Sequence, residues 1–196
     1  MQRDTLDGQP LEIPGTSAAV PTIARLCHAF RAAGRPVVHV VRLYLADGSN
    51  AEPSRRELVR KAPSMLTPGT PGRLLAEELL PDGAPELDDE LLLGGGIQRL
   101  GEHDSVLFKP RWGAFFRTPL EEHLRSSGID TVVVAGCNFP NCPRTSIYEA
   151  SERDFHVLVA EDGISGLYPQ GAAELRGIGV GVVHAADIED RLSTLV

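Results

Sequence analysis

Two rhythms of hydrophobic and polar positions run along this chain. Between Thr16 and Gly34, the apolar residues Ala19, Val20, Ile23, Leu26, Cys27 and Phe30 recur at i, i+3, i+4 and i+7, the period of a helix with one buried face. Thr16 or Ser17 can cap its start, and Gly34 can stop it. Val37-Val38-His39-Val40-Val41 follows, a β-branched run of the kind buried on both faces of a parallel sheet. From Leu43 to Gly96 the pattern weakens and Pro and Gly punctuate it. One short helix is expected there, around 73–80; the rest reads as surface excursions, where lids and substrate loops sit. Order returns at Asp104, with strands expected at 105–108, 131–135, 156–160 and 179–184 and helices at 119–126, 143–153, 172–176 and 187–195. Strands alternating with helices make βαβ units. The expected fold is therefore α/β: a single doubly wound three-layer domain with a mostly parallel sheet.

Composition narrows the function classes. With 196 residues, 42% of them hydrophobic, the chain can build one full core over 1–196. No apolar run approaches the roughly 18–20 residues of a membrane span. Net charge is −8 and the basic residues are scattered, so neither a nucleic-acid surface nor an anionic-membrane surface is expected. Met1-Gln2-Arg3-Asp4 lacks the apolar core of a signal peptide, which makes a cytoplasmic location the default. Cys27, Cys137 and Cys142 form no disulfide framework, and no C-x-x-C, H-x-H or H-E-x-x-H spacing is present, so no metal is expected. Gly94-Gly95-Gly96 and the glycines from Gly177 to Gly181 lack the strand–GxGxxG–helix setting of a dinucleotide site; no cofactor is expected.

In a doubly wound sheet, ligands bind beyond the carboxyl ends of the strands, which here means after Val41, Phe108, Ala135 and Ala160. After Ala135 runs Gly136-Cys137-Asn138-Phe139-Pro140-Asn141-Cys142-Pro143, then a helix. Pro143 fits a first helical turn, so Cys142 falls at or beside the N-cap. Free backbone N–H groups and the helix dipole favour a thiolate there and can hold an oxyanion. A nucleophile and a small buried apolar residue are both open readings of Cys142. Cys137 reads as packed core, with a Cys137–Cys142 redox pair a minor alternative. Lys109 ends its strand, where its ammonium can stabilise a thiolate or oxyanion, or can simply snorkel to the surface. Trp112, Phe115 and Phe116 beyond it can line a small apolar pocket or pack as core. His39 and His156 lie in strand runs and read as core residues; Asp162 reads as orienting a loop.

Taken together, Lys109-Pro-Arg-Trp-Gly-Ala-Phe-Phe-Arg-Thr118-Pro-Leu120, Gly128-Ile129, Val132 to Gly136, Cys142, Thr145, Ala150, Phe155 and Glu161-Asp162 resemble the isochorismatase-like cysteine hydrolases. The likeness is strong from Asp104 to Gly166 and weak from Leu43 to Gly96. It implies a Rossmann-like fold with a six-stranded parallel sheet, and an Asp–Lys–Cys triad that cleaves small amides, ureas or related C–N bonds. By position it makes Cys142 the nucleophile and Lys109 the triad lysine. The oxyanion hole falls to the backbone N–H groups of Asn138 and Cys142, Phe139 joins Trp112 and Phe115 as a pocket residue, and a cis bond joins Cys137 to Asn138. It also implies a homodimer or homotetramer. The family's usual turn threonine is replaced within Asn138 to Asn141, Pro143 follows the nucleophile, and no Asp-x-His metal motif follows Val41, so nicotinamide is not the expected substrate.

The family's chains begin with an apolar strand ending in Asp-x-Gln, whose Asp is the general base. Met1-Gln2 resembles the end of that segment, so the strand and its Asp are expected upstream of Met1. The strand belongs mid-sheet, and without it two neighbours keep unpaired N–H and C=O groups at ~1–3 kcal/mol for each one buried. Asp4 lies too far along to replace the base. The leading reading is a cysteine-dependent hydrolase of a C–N bond (amide, ureido or carbamoyl) in a small molecule, working through a thioester. The alternatives are a non-catalytic α/β binding or assembly module and a vinyl-ether hydrolase of isochorismate type.

Overall fold

Two three-stranded sheets, not one continuous sheet, carry this fold in a computed structural model that describes residues 1–193. The elements in chain order are α1 (Thr16–Ala32), β1 (Val37–Val41), α2 (Arg56–Lys61), α3 (Asp89–Leu93), β2 (Ile97–Arg99), β3 (Asp104–Phe108), α4 (Leu120–Ser126), β4 (Thr131–Gly136), α5 (Cys142–Ser151), β5 (His156–Ile164), α6 (Pro169–Gly177), β6 (Gly181–Val183) and α7 (Ala185–Ser193). The last expected helix is α7; its expected end at 194–195 lies outside the described residues. One sheet has the order β1-β3-β2, with β1 and β3 parallel and β2 antiparallel; the other, β4-β5-β6, is parallel throughout.

β1 and β4 are thus edge strands, and among the described residues no ladder joins them. Both nevertheless pack on α1, and Val38, Val40, Val132 and Val134 all reach the same core. In β4 the side chains alternate between two covered faces. Val132 and Val134 meet α4, α5 and α6 through Leu124, Ile147 and Leu175, while Val133 and Ala135 meet α1 and α7 through Leu26 and Ile188. This is the three-layer arrangement expected from the βαβ pattern. Every residue of β4 stays at least partly exposed, as an edge strand does and a central strand of a parallel sheet does not.

The region with weak periodicity folds back over the strand ends. No α-helix forms at 73–80; instead two 3₁₀ turns, Pro71–Arg73 and Glu77–Leu79, flank an extended stretch that pairs with the N-terminus. Arg3 donates its backbone N–H to Leu74 (2.8 Å) and Ala76 donates to Met1 (2.9 Å), pairings too distant in sequence for local periodicity to register. At the start of α1, Gly15 in the left-handed region takes the cap position that Thr16 or Ser17 was expected to fill, and the Thr16 hydroxyl lies 3.2 Å from that of Ser165 instead.

Beneath α1 lies a buried ionic cluster. Arg31 donates to both oxygens of Asp104 (2.7 and 2.8 Å) and His39 Nε2 lies 3.0 Å from Oδ1, tying α1, β1 and β3 together. Burial alone would raise the Asp104 carboxyl, but the hydrogen bonds from Arg31 and His39 outweigh it and hold its pKa at about 2, below the ordinary 3.8. A carboxyl held below its unfolded value stabilises the fold above about pH 4, and that contribution, about 2 kcal/mol, is lost as the pH falls toward 2. His39 is lowered by burial against the opposing Asp104 hydrogen bond, so it too favours folding at higher pH. Asp104→Asn should therefore unfold at lower urea at pH 7, with its deficit against wild type narrowing between pH 4 and pH 2. A deficit constant across that range would show that the carboxylate charge contributes nothing.

Candidate active site

The turn after β4 is shaped by its backbone. Gly136 ends the strand at φ 121°, a conformation that L side chains rarely adopt, and the ladder slips there so that Gly136 pairs with Ile164. Ser165 then pins the turn from both sides, donating its N–H to Gly136 (3.0 Å) and accepting from Phe139 N–H (2.7 Å). Cys142 is the first residue of α5, and Pro143 follows in the first turn, as expected. Among the described residues, neither the Asn138 N–H nor the Cys142 N–H donates to a protein acceptor. The Cys137–Asn138 bond is trans, the ordinary state of a non-prolyl peptide, which corrects the expected cis bond.

Lys109 stands just past β3, its N–H donating to Val41 (3.0 Å). Its side chain is buried, not snorkelling, and Nζ donates to the Trp112 carbonyl at 2.5 Å. Burial lowers its pKa, opposed by the nearby Cys142 thiol. Two contacts with α5 fix the loop that follows: Ala114 N–H donates to Ser146 Oγ (3.0 Å) and Phe115 N–H to Glu149 Oε2 (2.9 Å). Lysine and thiol are thus brought together by three separate elements. Lys109→Met is expected to slow iodoacetamide alkylation of Cys142 at pH 7 by roughly tenfold, followed by mass spectrometry of its peptide. An unchanged rate would mean that the lysine does not support the thiolate.

The other sequence candidates scatter. Phe139 is fully enclosed and Phe115 nearly so; both belong to the main core cluster instead of a pocket wall, because their neighbours are the helices covering the sheet. Trp112 remains partly exposed, with the Arg55 guanidinium 4.4 Å above its ring. Cys137 is half-buried, not core: its thiol reaches the Thr5 hydroxyl (3.8 Å). His39 is buried, but His156 is exposed where β5 begins. Asp162 accepts from Ala185 N–H (2.7 Å) and so orients the start of α7. Asp4 is committed elsewhere, accepting from Leu66 N–H at 2.7 Å. Among the described residues, no carboxylate contacts Lys109 or Cys142.

Sequence reasoning missed three contributors: Gln2, the Ser146–Glu149 clamp, and Arg42. The Gln2 amide accepts from Arg42 N–H (2.8 Å) and donates to Arg42 C=O (2.8 Å), standing where a neighbouring strand would pair. Arg42 was signalled by its place directly after a buried strand, at one of the four edges where ligands bind.

These features define a doubly wound α/β protein with a thiol and a buried lysine at the carboxyl edge of its strands. A family model described as an isochorismatase domain matches residues 96–176. Maleamate amidohydrolase of Pseudomonas putida is 33% identical over 83% of this chain and 67% of its own length. A probable inactive nicotinamidase of Arabidopsis thaliana is 28% identical over 97% of this chain and 83% of its own. The crystal structure of an isochorismatase family protein from Desulfovibrio vulgaris superposes with a TM-score of 0.82 at 33% identity, covering 98% of this chain and 94% of that one. The chain belongs to the isochorismatase family.

Proposed function

We propose that this protein is a cysteine-dependent hydrolase that cleaves a C–N bond in a small amide, ureido or carbamoyl compound. The observation that carries the reading is the buried Lys109, whose side chain feels the Cys142 thiol at the N-terminus of α5. The amidohydrolase activity named for the Pseudomonas relative supports the same class. In this reading, the Cys142 thiolate attacks the carbonyl carbon and a C–S bond forms. The oxygen's negative charge is taken up by the N–H groups of Asn138 and Cys142. The tetrahedral adduct collapses, the C–N bond breaks, and the amine leaves with a proton. Water then hydrolyses the thioester to a carboxylic acid and restores the thiol.

The pair also needs a proton donor and base, and among the described residues no carboxylate stands beside it; the edges of β1 and β4 that no ladder joins are where a strand carrying one would fit. A cytoplasmic homodimer or homotetramer belongs to the same reading. The test is acid-quenched intact-mass analysis after brief mixing with a panel of small amides and ureido acids. An acyl adduct on the Cys142 peptide is expected; accumulation of amine product without any adduct would overturn the thioester.

One observation favours a second reading. With no carboxylate at Lys109 or Cys142 among the described residues, and a relative named as a probable inactive nicotinamidase, the chain fits a non-catalytic binding module. Neither adduct nor product from any compound would decide for it.

A further inference from the structure

Cys142, Ser146 and Glu149 stand at i, i+4 and i+7 of α5 and so line one side of the helix, while Ile147 and Ala150 turn to the core. Ser146 Oγ donates to the Cys142 carbonyl (2.8 Å) and accepts the Ala114 N–H (3.0 Å). Glu149 Oε2 accepts the Phe115 N–H (2.9 Å), a charge-assisted bond and so one of the stronger kinds. Its carboxyl also lies flat against Gly113, where a Cβ would stand 2.0 Å from Oε2 and 2.1 Å from Cδ. Only a residue without a side chain lets the backbone come this close.

This clamp begins one residue beyond the anchor of the lysine. Lys109 is buried, and Trp112, whose carbonyl accepts from Nζ at 2.5 Å, immediately precedes Gly113. Among the described residues no carboxylate contacts Nζ, so a backbone carbonyl fixes where the ammonium sits. A backbone carbonyl goes where its loop goes, and the next three residues, 113–115, are all held by α5. The Thr118 hydroxyl closes the loop from its far end by donating to the Ala114 carbonyl (2.5 Å). The helix that carries the thiol therefore also sets the lysine, and reacting groups displaced by about 1 Å lose much of their effect.

We propose that Glu149 is a positioning residue: by holding Gly113 and Phe115 against α5 it fixes the Trp112 carbonyl, and through that carbonyl the lysine that supports the Cys142 thiolate. It stands seven residues from Cys142, about 10 Å along the helix axis, and takes no part in bond making. Its use in hydrolysis rests on the hydrolase reading; the link from Glu149 to the thiol is read without any substrate.

Timed iodoacetamide alkylation of Cys142 in the full chain, read by peptide mass spectrometry from about pH 6 to pH 9, is the test. Glu149→Ala should slow alkylation at pH 7 by roughly fivefold and shift its pH profile upward, because a misplaced cation favours the thiolate less. Glu149→Gln keeps an oxygen to accept the Phe115 N–H and should restore the rate to within about twofold of wild type. Gly113→Ala leaves Glu149 in the sequence but forces its carboxyl aside. It should reproduce the loss, and it carries the test where Glu149→Ala folds poorly. The deciding comparison is made in Lys109→Met, where adding Glu149→Ala should change the rate by less than about twofold, since residues acting through one another are not additive. An unchanged rate in Glu149→Ala, no rescue by Glu149→Gln, or an equal loss with and without Lys109 would overturn the proposal. An equal loss would make Glu149 a general brace of the fold. The hydrolase reading fails separately: no acyl adduct from any compound would refute it and leave the alkylation results standing.

Discussion

Cys142→Ala is expected to lower amide hydrolysis by roughly 10⁴-fold or more, the scale seen when a nucleophile is removed from a working catalytic group. The expectation follows from position. Cys142 is partly exposed at the first residue of α5, so removing its sulfur opens no cavity in the core. Stability should change by less than about 1 kcal/mol, as for surface substitutions generally. Lost activity with an unchanged urea midpoint would therefore report chemistry, not folding. Cys142→Ser makes the complementary test. A serine hydroxyl beside Lys109 stays protonated at neutral pH, so it should be nearly as inactive as alanine although it nearly matches the thiol in shape. Full hydrolysis by either variant would remove the thiol from the mechanism and move the protein toward the vinyl-ether chemistry that needs no nucleophilic sulfur.

The second large effect belongs to Phe139, three residues before Cys142. Its ring is 0% exposed, meets Tyr168 edge-on at 5.5 Å between centroids, and fills space so tightly that a Cβ on Gly171 would lie 2.5 Å from it. Phe139→Ala should cost ~3–5 kcal/mol, since an enclosed aromatic leaves a cavity that the neighbouring helices cannot close. For a domain of this size that is a fall of about 10 °C in melting temperature. The same ring seats the turn that presents Cys142, so the alkylation rate of Cys142 should change with stability. Urea unfolding at constant m-value measures the first effect and timed alkylation the second. A loss under about 1 kcal/mol would mean that the ring is not packed as described.

The chain's alternating β and helical rhythm specified most of the architecture. β1 falls at 37–41 as read, and β3, β4, β5 and β6 lie within or around their expected runs, because short β-branched segments flanked by turns have few other uses. The thiol–lysine pair was legible for a related reason. A doubly wound sheet gathers its strand ends at one edge, so a lysine ending one strand and a cysteine opening the helix after another meet whatever lies between them in sequence.

Other features depended on contacts that sequence spacing does not record. The pairing of residues 1–3 with 74–76, which replaced the helix expected at 73–80, joins segments about seventy residues apart. Phe115 and Phe139 sit in aromatic-rich loops beside the candidate nucleophile, and only the packing of α4, α5 and α6 assigns them to the core. Arg42 is the clearest case. Its place after a strand was readable, but which of its nitrogens Glu52 and Tyr44 satisfy, and which they leave bare, is settled by side chains meeting in three dimensions. Local periodicity thus determined which segments become strands and helices and which edge holds the chemistry. The tertiary structure decided which polar groups at that edge remain unsatisfied, because a hydrogen bond depends on distances and angles between atoms that sequence separation does not fix.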